Sequence, residues 1–280
     1  MNASTNEYLA SWRDGPSKRA LVDFVERVTR GPAAVAVADR IAAFDNDGTL
    51  CCEKPTTAFA AFLAGRPTSS DRAHVANPAV HDGHKVLELV AQEFAGRSVV
   101  DYQAACRAFL DTARHPRYDV PYPALRYLPM CELVDYLRAA QFTVYLTSDG
   151  SRDFIRTFAE HSYGLGPHAI VGSEARVELH AGTLTRTADV IEPLDDGPGK
   201  PVHLWERTGK QPLLAAGNAA GDIEMLESAK FSLLVHHDDP GREYAYDDTP
   251  ALTHAAEHHW TVVSMLDDFE VLWPIGQNQA

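Results

Sequence analysis

The chain has 280 residues, with 25 Lys and Arg against 39 Asp and Glu for a formal net charge of −14, and it is 45% hydrophobic and 23% charged. This length and balance exclude global disorder and suit two average domains, or one large α/β domain carrying an insertion. The acidic excess argues against nucleic acid and anionic membranes as partners, because its field repels polyanions, while a small anion held by a local cation stays compatible with it.

The polar stretch 1–19 holds no apolar run of signal-peptide type, and the weakly polar stretch 33–44 ends well short of the ~20 residues of a membrane span. Residues 17–29 place Leu21, Phe24, Val25 and Val28 on one face at helical spacing. After the Gly31-Pro32 break, the apolar run 41–44 predicts a buried strand ending at Asp45, with Gly48 marking the turn beyond it. From Cys51 to about Arg126 the character changes. Helical patterns over 57–64, 86–94 and 102–112 are separated by polar or proline-bearing breaks, with no clear strand among them. This predicts an all-helical insertion over residues 51–126, set between residues 1–50 and 127–280 of an α/β core.

Alternation resumes with a helix over 131–140, a strand over 142–146, a turn at 147–150 and a helix over 151–161. A strand at 169–172, a two-stranded excursion at 175–189, a helix over 201–209 and a strand over 212–216 follow. A loop at 217–221 leads into a helix over 222–229, and short strands are expected at 231–235 and 261–263. Such alternation predicts a Rossmann-like, mostly parallel sheet with helices on both faces, whose active site lies at the carboxyl ends of the strands. Cys51, Cys52, Cys106 and Cys131 form no CxxC pair, which suits a cytoplasmic protein with reduced thiols. Cys51 and Cys52 have no paired base in the sequence around them and are expected to be packing residues.

Three strand ends are polar. At the first, Phe44-Asp45-Asn46-Asp47-Gly48-Thr49-Leu50, two carboxylates two residues apart suit a division of labour. Asp45 can attack phosphorus and Asp47 can move protons, although an Asp-Gly turn with incidental acids has the same spelling. At the second, Thr147-Ser148-Asp149-Gly150 offers a hydroxyl to a phosphoryl oxygen, and is equally an ordinary turn. At the third, Gly217-Asn218-Ala219-Ala220-Gly221-Asp222 offers hard oxygen ligands from Asn218 and Asp222, while Asp222 also suits the N-cap of the next helix. Between the second and third, Lys200 stands at a helix start, where its charge is out of place unless an anion is near.

In this order, Asp45-x-Asp47-Gly48-Thr49, the strand-end Thr147, Gly199-Lys200 and Gly217-Asn218-x-x-Gly221-Asp222 closely resemble the four motifs of the haloacid dehalogenase superfamily of phosphohydrolases. The resemblance covers about residues 40–50 and 130–235. The insertion after the first motif stands where this superfamily's type-I cap sits, as in its phosphoserine-phosphatase-like branch. The resemblance implies Asp45 as the nucleophile that becomes an aspartyl-phosphate. It implies Asp47 as general acid/base, Thr147 as the phosphate-orienting hydroxyl with Ser148 one register away as competitor, and Lys200 as the charge-balancing lysine. A Mg2+ ion would take Asp45, the backbone carbonyl of Asp47, and Asn218 or Asp222. Asn218 stands where the family more often has Asp, which leaves open which of the two is the direct ligand. Gly48, Ser148 and Glu53 are expected at the substrate; in the resembled branch an acid near position 53 faces the substrate's amino group.

The expected function is therefore Mg2+-dependent hydrolysis of a small phosphorylated metabolite by a monomer or homodimer. Other outcomes on the same residues are a phosphomutase, a phosphonate-cleaving relative, or a non-catalytic phosphate-binding or scaffold protein. A phosphonate-cleaving relative usually needs a Schiff-base lysine in the cap, where Lys54 and Lys85 are the only lysines and neither has a persuasive context. Ser151 and Arg152 are weaker pocket candidates, Arg152 more as a surface residue, and Asp247-Asp248 and Asp267-Asp268 suit solvated turns or helix starts. Among 13 histidines, His236-His237 adjoin Asp238-Asp239. His254 and His258 are four apart and suit zinc on one helix face, but with no third ligand nearby in sequence they are read as clustered surface histidines.

Overall fold

A computed structural model describes residues 8–65 and 83–274. Helix α1 (Pro16–Thr29) precedes strand β1 (Ile41–Asp45); helices α2 (Ala58–Ala64), α3 (Gly83–Glu93) and α4 (Val99–Thr112) follow. Then come α5 (Leu128–Ala139), β2 (Thr143–Thr147), α6 (Arg152–Ile155), α7 (Ala159–Tyr163) and a hairpin of β3 (Ala175–His180) and β4 (Thr183–Val190). The chain continues through α8 (Gly199–Thr208), β5 (Leu214–Gly217), α9 (Ile223–Ser228), β6 (Phe231–His236), α10 (Thr249–Glu257) and β7 (Thr261–Ser264). No helix among the described residues is long and apolar enough to cross a membrane.

The main sheet has the order β2-β1-β5-β6-β7, and every pairing in it is parallel. All five residues of β1 are buried, because strands flank it on both sides and helices cover both faces. Side chains alternate across the sheet. Ala42 and Phe44 of β1, with Leu233 and Val235 of β6, join the large core under α1 and α5 with Leu21, Phe24 and Leu133. Ile41 and Ala43 face the other way, into a smaller core with Leu204 of α8, Met225 and Leu226 of α9 and Ala251 of α10. Each large side chain so buried stabilises the fold by roughly 1.5–3 kcal/mol. The expected doubly covered parallel sheet is what the chain forms, with Asp45 and Thr147 side by side at the carboxyl ends of β1 and β2.

Three expected elements differ. The strand at 169–172 is a single bridge, Leu146 with Ile170, since a 3-10 turn over Pro167–Ala169 leads directly into it. The helix over 151–161 is broken into α6 and α7; between them the Thr157 hydroxyl donates to the Phe154 carbonyl at 2.6 Å, and such local bonding competes with the helical ladder. The helix expected at 102–112 starts earlier, at Val99, because the Ser98 hydroxyl caps it by accepting from the Asp101 N–H at 3.0 Å.

The hairpin lies against the helices of the insertion. Gly96 N–H donates to the Arg186 carbonyl and Arg186 N–H to the Arg97 carbonyl, both at 2.9 Å. The Arg186 side chain is fully buried, ion-paired with Glu174 at 2.8 Å and stacked 3.8 Å over the Tyr102 ring of α4. Tyr102 and Glu174 both hydrogen-bond the Ser151 hydroxyl, at 3.0 and 2.9 Å. One buried arginine thus joins β4 and α4 to the loop that follows β2.

Candidate active site

At the carboxyl ends of β1 and β5 the chain leaves the sheet through tight polar turns, and the start of α8 comes up between them. A cavity of about 190 Å³ lies there. Among the described residues its walls carry Asp45, Asp47, Glu53, Asp149, Asp196 and Asp222, six carboxylates, against the single ammonium of Lys200. Lys200 is 3% exposed and its Nζ is 2.6 Å from Asp45 Oδ1 and 2.5 Å from Asp222 Oδ1. Burial opposes its charge, but Asp222 and Asp45 outweigh that and hold the ammonium well above its ordinary range.

Burial, then repulsion from Asp222, pushes Asp45 well above the usual carboxylate range, against the pull of Lys200. Burial, reinforced by Asp149 and Glu53, pushes Asp47 up to about 7. Asp149 is pushed up to about 6, chiefly by burial, with Asp196 and Asp222 adding to it and Lys200 opposing.

The loop after β5 is organised by Asp222. Its Oδ2 accepts the N–H of Asn218 at 2.9 Å and of Ala219 at 3.1 Å, while Oδ1 holds Lys200. Asn218 lines the cavity but its amide is turned aside: Oδ1 accepts from the Thr49 hydroxyl at 3.0 Å, and Nδ2 points to Glu53 and Tyr246 at 3.5 Å. Glu53 also reaches the cavity, with Oε1 receiving the Tyr246 hydroxyl and lying 3.5 Å from Lys54 Nζ.

Three expected site residues are placed differently. Thr147 is fully buried and its hydroxyl donates to Met225 Sδ at 3.2 Å, in the smaller core, because its side chain shares the face of Ile41 and Ala43. Ser148 is also fully buried, its Oγ accepting the Gly150 N–H at 3.1 Å and its own N–H donating to Asp195 at 2.8 Å. Neither lines the cavity; Asp149 and Gly150 do. Gly48 has φ +82°, a left-handed turn that glycine allows, and a side chain there would run into the Asn218 amide. Both its peptide groups are engaged within the protein: its N–H donates to the Cys51 carbonyl and its carbonyl accepts from His237 Nε2, each at 2.8 Å. Gly48 therefore shapes the turn.

His237 was visible in sequence only as half of a His-His pair. Gly48 offers it a carbonyl that can only accept, so Nε2 carries a proton. Nδ1 faces Glu243 Oε2 at 3.1 Å, and the Cys52 thiol donates to Glu243 Oε1 at 3.1 Å. His237 and Glu243 are 2% and 0% exposed, and together they hold the Asp45–Asp47 turn from below. Nothing near positions 237 and 243 in sequence signals a partner at 48; only the fold joins them. Asp149 is legible in sequence only as part of a turn, and Asp196 carries no signal of its own there. All four cysteines are free. Burial pushes the Cys51 and Cys52 thiols up, so both stay protonated and pack.

No curated protein matches the chain. Among solved structures, a protein of unknown function from Bordetella pertussis Tohama I aligns with TM-score 0.56 at 19% identity, over 80% of this chain and 98% of that one. A functionally unknown protein from Anaerococcus prevotii DSM 20548 aligns with TM-score 0.61 at 13% identity, over 91% and 93%. A phosphoserine phosphatase holding an analogue of its phospho-aspartyl intermediate aligns more loosely, with TM-score 0.41 at 18% identity over 70% and 86%. The family model for haloacid dehalogenase-like hydrolases matches residues 42–227, from β1 into α9 and so through every turn that lines the cavity. The chain belongs to the haloacid dehalogenase-like hydrolase family.

Proposed function

We propose that this hydrolase cleaves the phosphate monoester of a small metabolite through a phosphorylated Asp45, with Mg2+ in the cavity. The observation that carries this is the sharing of one buried ammonium by Asp45 and Asp222 on the floor of a cavity that Asp47 also lines. Lys200 fixes Asp45 Oδ1, which leaves Oδ2 to attack phosphorus in line with the leaving oxygen. The P–O ester bond breaks as the Oδ2–P bond forms, and Asp47 gives its proton to the departing alkoxide. Asp47 then takes a proton from the water that attacks the aspartyl-phosphate, which frees phosphate and restores Asp45. A carboxyl group held at about 7 is suited to both halves of that exchange near neutral pH.

A divalent cation fits the donor set, because Asp45 and Asp222 are buried with one ammonium between them and every candidate donor is a hard oxygen. Asp45, the Asp47 carbonyl, and Asn218 or Asp222 would hold it, and bound Mg2+ would supply positive charge to the phosphoryl oxygens. Asn218 Oδ1 already accepts from Thr49, and Asp222 already holds Lys200 and the N–H groups of Asn218 and Ala219, so either would exchange a partner for the ion. The cavity is small beside the roughly 300–1,000 Å³ of drug-sized ligand sites, which favours a compact substrate. Lys54 Nζ lies 3.5 Å from Glu53 Oε1 and 4.6 Å over the Tyr246 ring, partners that engage its nitrogen and do not suit a Schiff base.

Turnover of p-nitrophenyl phosphate with and without Mg2+ tests this. Wild type should require the ion, Asp45→Asn should lose turnover, and Asp47→Asn should lose it by about 10²–10⁴-fold, the usual contribution of a general acid. Equal turnover by wild type and Asp45→Asn would overturn the assignment.

A further inference from the structure

Away from the cavity, α9 and α10 bring together three donor groups that phosphate-ester hydrolysis does not use. Glu227 lies on α9, His254 in the last turn of α10 and His258 at its C-cap. The two histidines are four residues apart and share a helix face, with their rings 6° from parallel and their centroids 5.7 Å apart. Glu227 Oε1 is 3.3 Å from His254 Nδ1 and 3.8 Å from His258 Nε2, and all three donor atoms lie within 4.8 Å of one another. His254 Nδ1 is inaccessible to solvent and makes no hydrogen bond, although a carboxylate oxygen stands beside it.

Tetrahedral zinc takes imidazole nitrogen and carboxylate oxygen at ~2.0–2.2 Å, which sets such donors roughly 3.3–3.5 Å apart. The two distances to Glu227 are already close to that spacing, and His258 and Glu227 are 49% and 39% exposed, so an ion can reach the group from their side. We propose that Glu227, His254 and His258 form a surface site for a transition-metal ion, zinc by its donor chemistry, with water completing the shell. Two imidazoles and one carboxylate suit Zn2+ and disfavour Mg2+, which demands oxygen donors in octahedral geometry.

The site is placed to act as a clip. Helix α9 begins at Ile223, directly after Asp222, and α10 is capped by Asp248, whose Oδ2 also accepts the Ala220 N–H at 3.0 Å. The two helices thus already meet at the cavity loop, and the ion joins them again at their other ends.

Calorimetric titration of the full chain with ZnCl2 in excess Mg2+, which fills oxygen-lined sites, tests the proposal. Wild type and His180→Ala, a control at an exposed histidine on the hairpin, should each bind one equivalent. Loss of groups that only support metal ligands costs ~10–100-fold in affinity, so His258→Ala and Glu227→Gln should weaken binding by at least about tenfold. Zinc should raise the melting temperature of wild type and not of the His254→Ala/His258→Ala double variant. Absence of stoichiometric zinc binding in wild type, or equal binding by the double variant, would overturn the site.

Discussion

The two hydroxyls at the end of β2, Thr147 and Ser148, are both buried, and their surroundings differ. Thr147 points through the sheet to Met225, while Ser148 folds under its own turn and accepts from the Gly150 N–H. The Thr147 hydroxyl therefore serves the smaller core. A lost donor to a developing oxyanion costs ~10²–10³ in kcat, so Thr147→Val should stay within about tenfold of wild type on p-nitrophenyl phosphate. Ser148 is the nearer of the two to the cavity wall formed by Asp149 and Gly150, and Ser148→Ala should show the larger drop in kcat. A loss of ~10² or more for Thr147→Val with an unaltered melting temperature would restore Thr147 to the substrate.

Among the elements, what the sequence makes legible are those whose signal is local. The run Ile41–Phe44 is apolar and ends in Asp45, and the step from buried strand to polar turn marks both β1 and its site. Lys200 was legible for the same reason, as a cation in the first turn of a helix. The hairpin shows the limit. Alternation in 175–189 betrays two strands, but nothing in it says that Arg186 will be buried against Tyr102, 84 residues earlier, and ion-paired with Glu174. In sequence Arg186 is one more basic residue on a polar strand. The strand expected at 169–172 fails for the converse reason: its apolar residues are right, and the 3-10 turn before it leaves room for one bridge. Removing one partner of a buried ion pair strands the other, at a cost of ~3–5 kcal/mol. Arg186→Met should lower the free energy of unfolding, read from urea titration, by that much, leaving Glu174 unpaired, while Arg186→Met combined with Glu174→Gln should recover part of the loss. Additive losses in the double variant would show that the pair is not the link between hairpin and helices.

For the molecule as a whole, the net charge of −14 and the six carboxylates along the cavity have the same sign, and burial changes how two of those acids titrate. Asp47 and Asp149 are raised from an ordinary value of 3.8 to about 7 and about 6. In the unfolded chain both lose their protons near the ordinary value, whereas the folded chain keeps them until the raised values are passed. Between these limits the native state binds more protons than the unfolded one, so the free energy of unfolding falls as pH rises, and levels off above about 7. His203, raised by its hydrogen bond with Asp195, declines in the same direction, from its ordinary value of 6.5 upward. Asp149→Asn separates the two, since it removes one acid and relieves Asp47 without touching His203. Protein stripped with EDTA should therefore melt at progressively lower temperature from about pH 5 to pH 7.5, and Asp149→Asn should flatten that slope and raise the melting point at the upper end. A cation that binds only the folded cavity adds about 2.7 kcal/mol at one hundred times its dissociation constant. Mg2+ must displace more protons from these acids at pH 5 than at pH 7.5, so its stabilisation should be larger at the higher pH. Scanning calorimetry of stripped and Mg2+-loaded protein at both pH values decides it: a Mg2+-free melting temperature constant across that range would mean that the cavity's acids are already compensated within the fold, and that no cation is needed to hold them together.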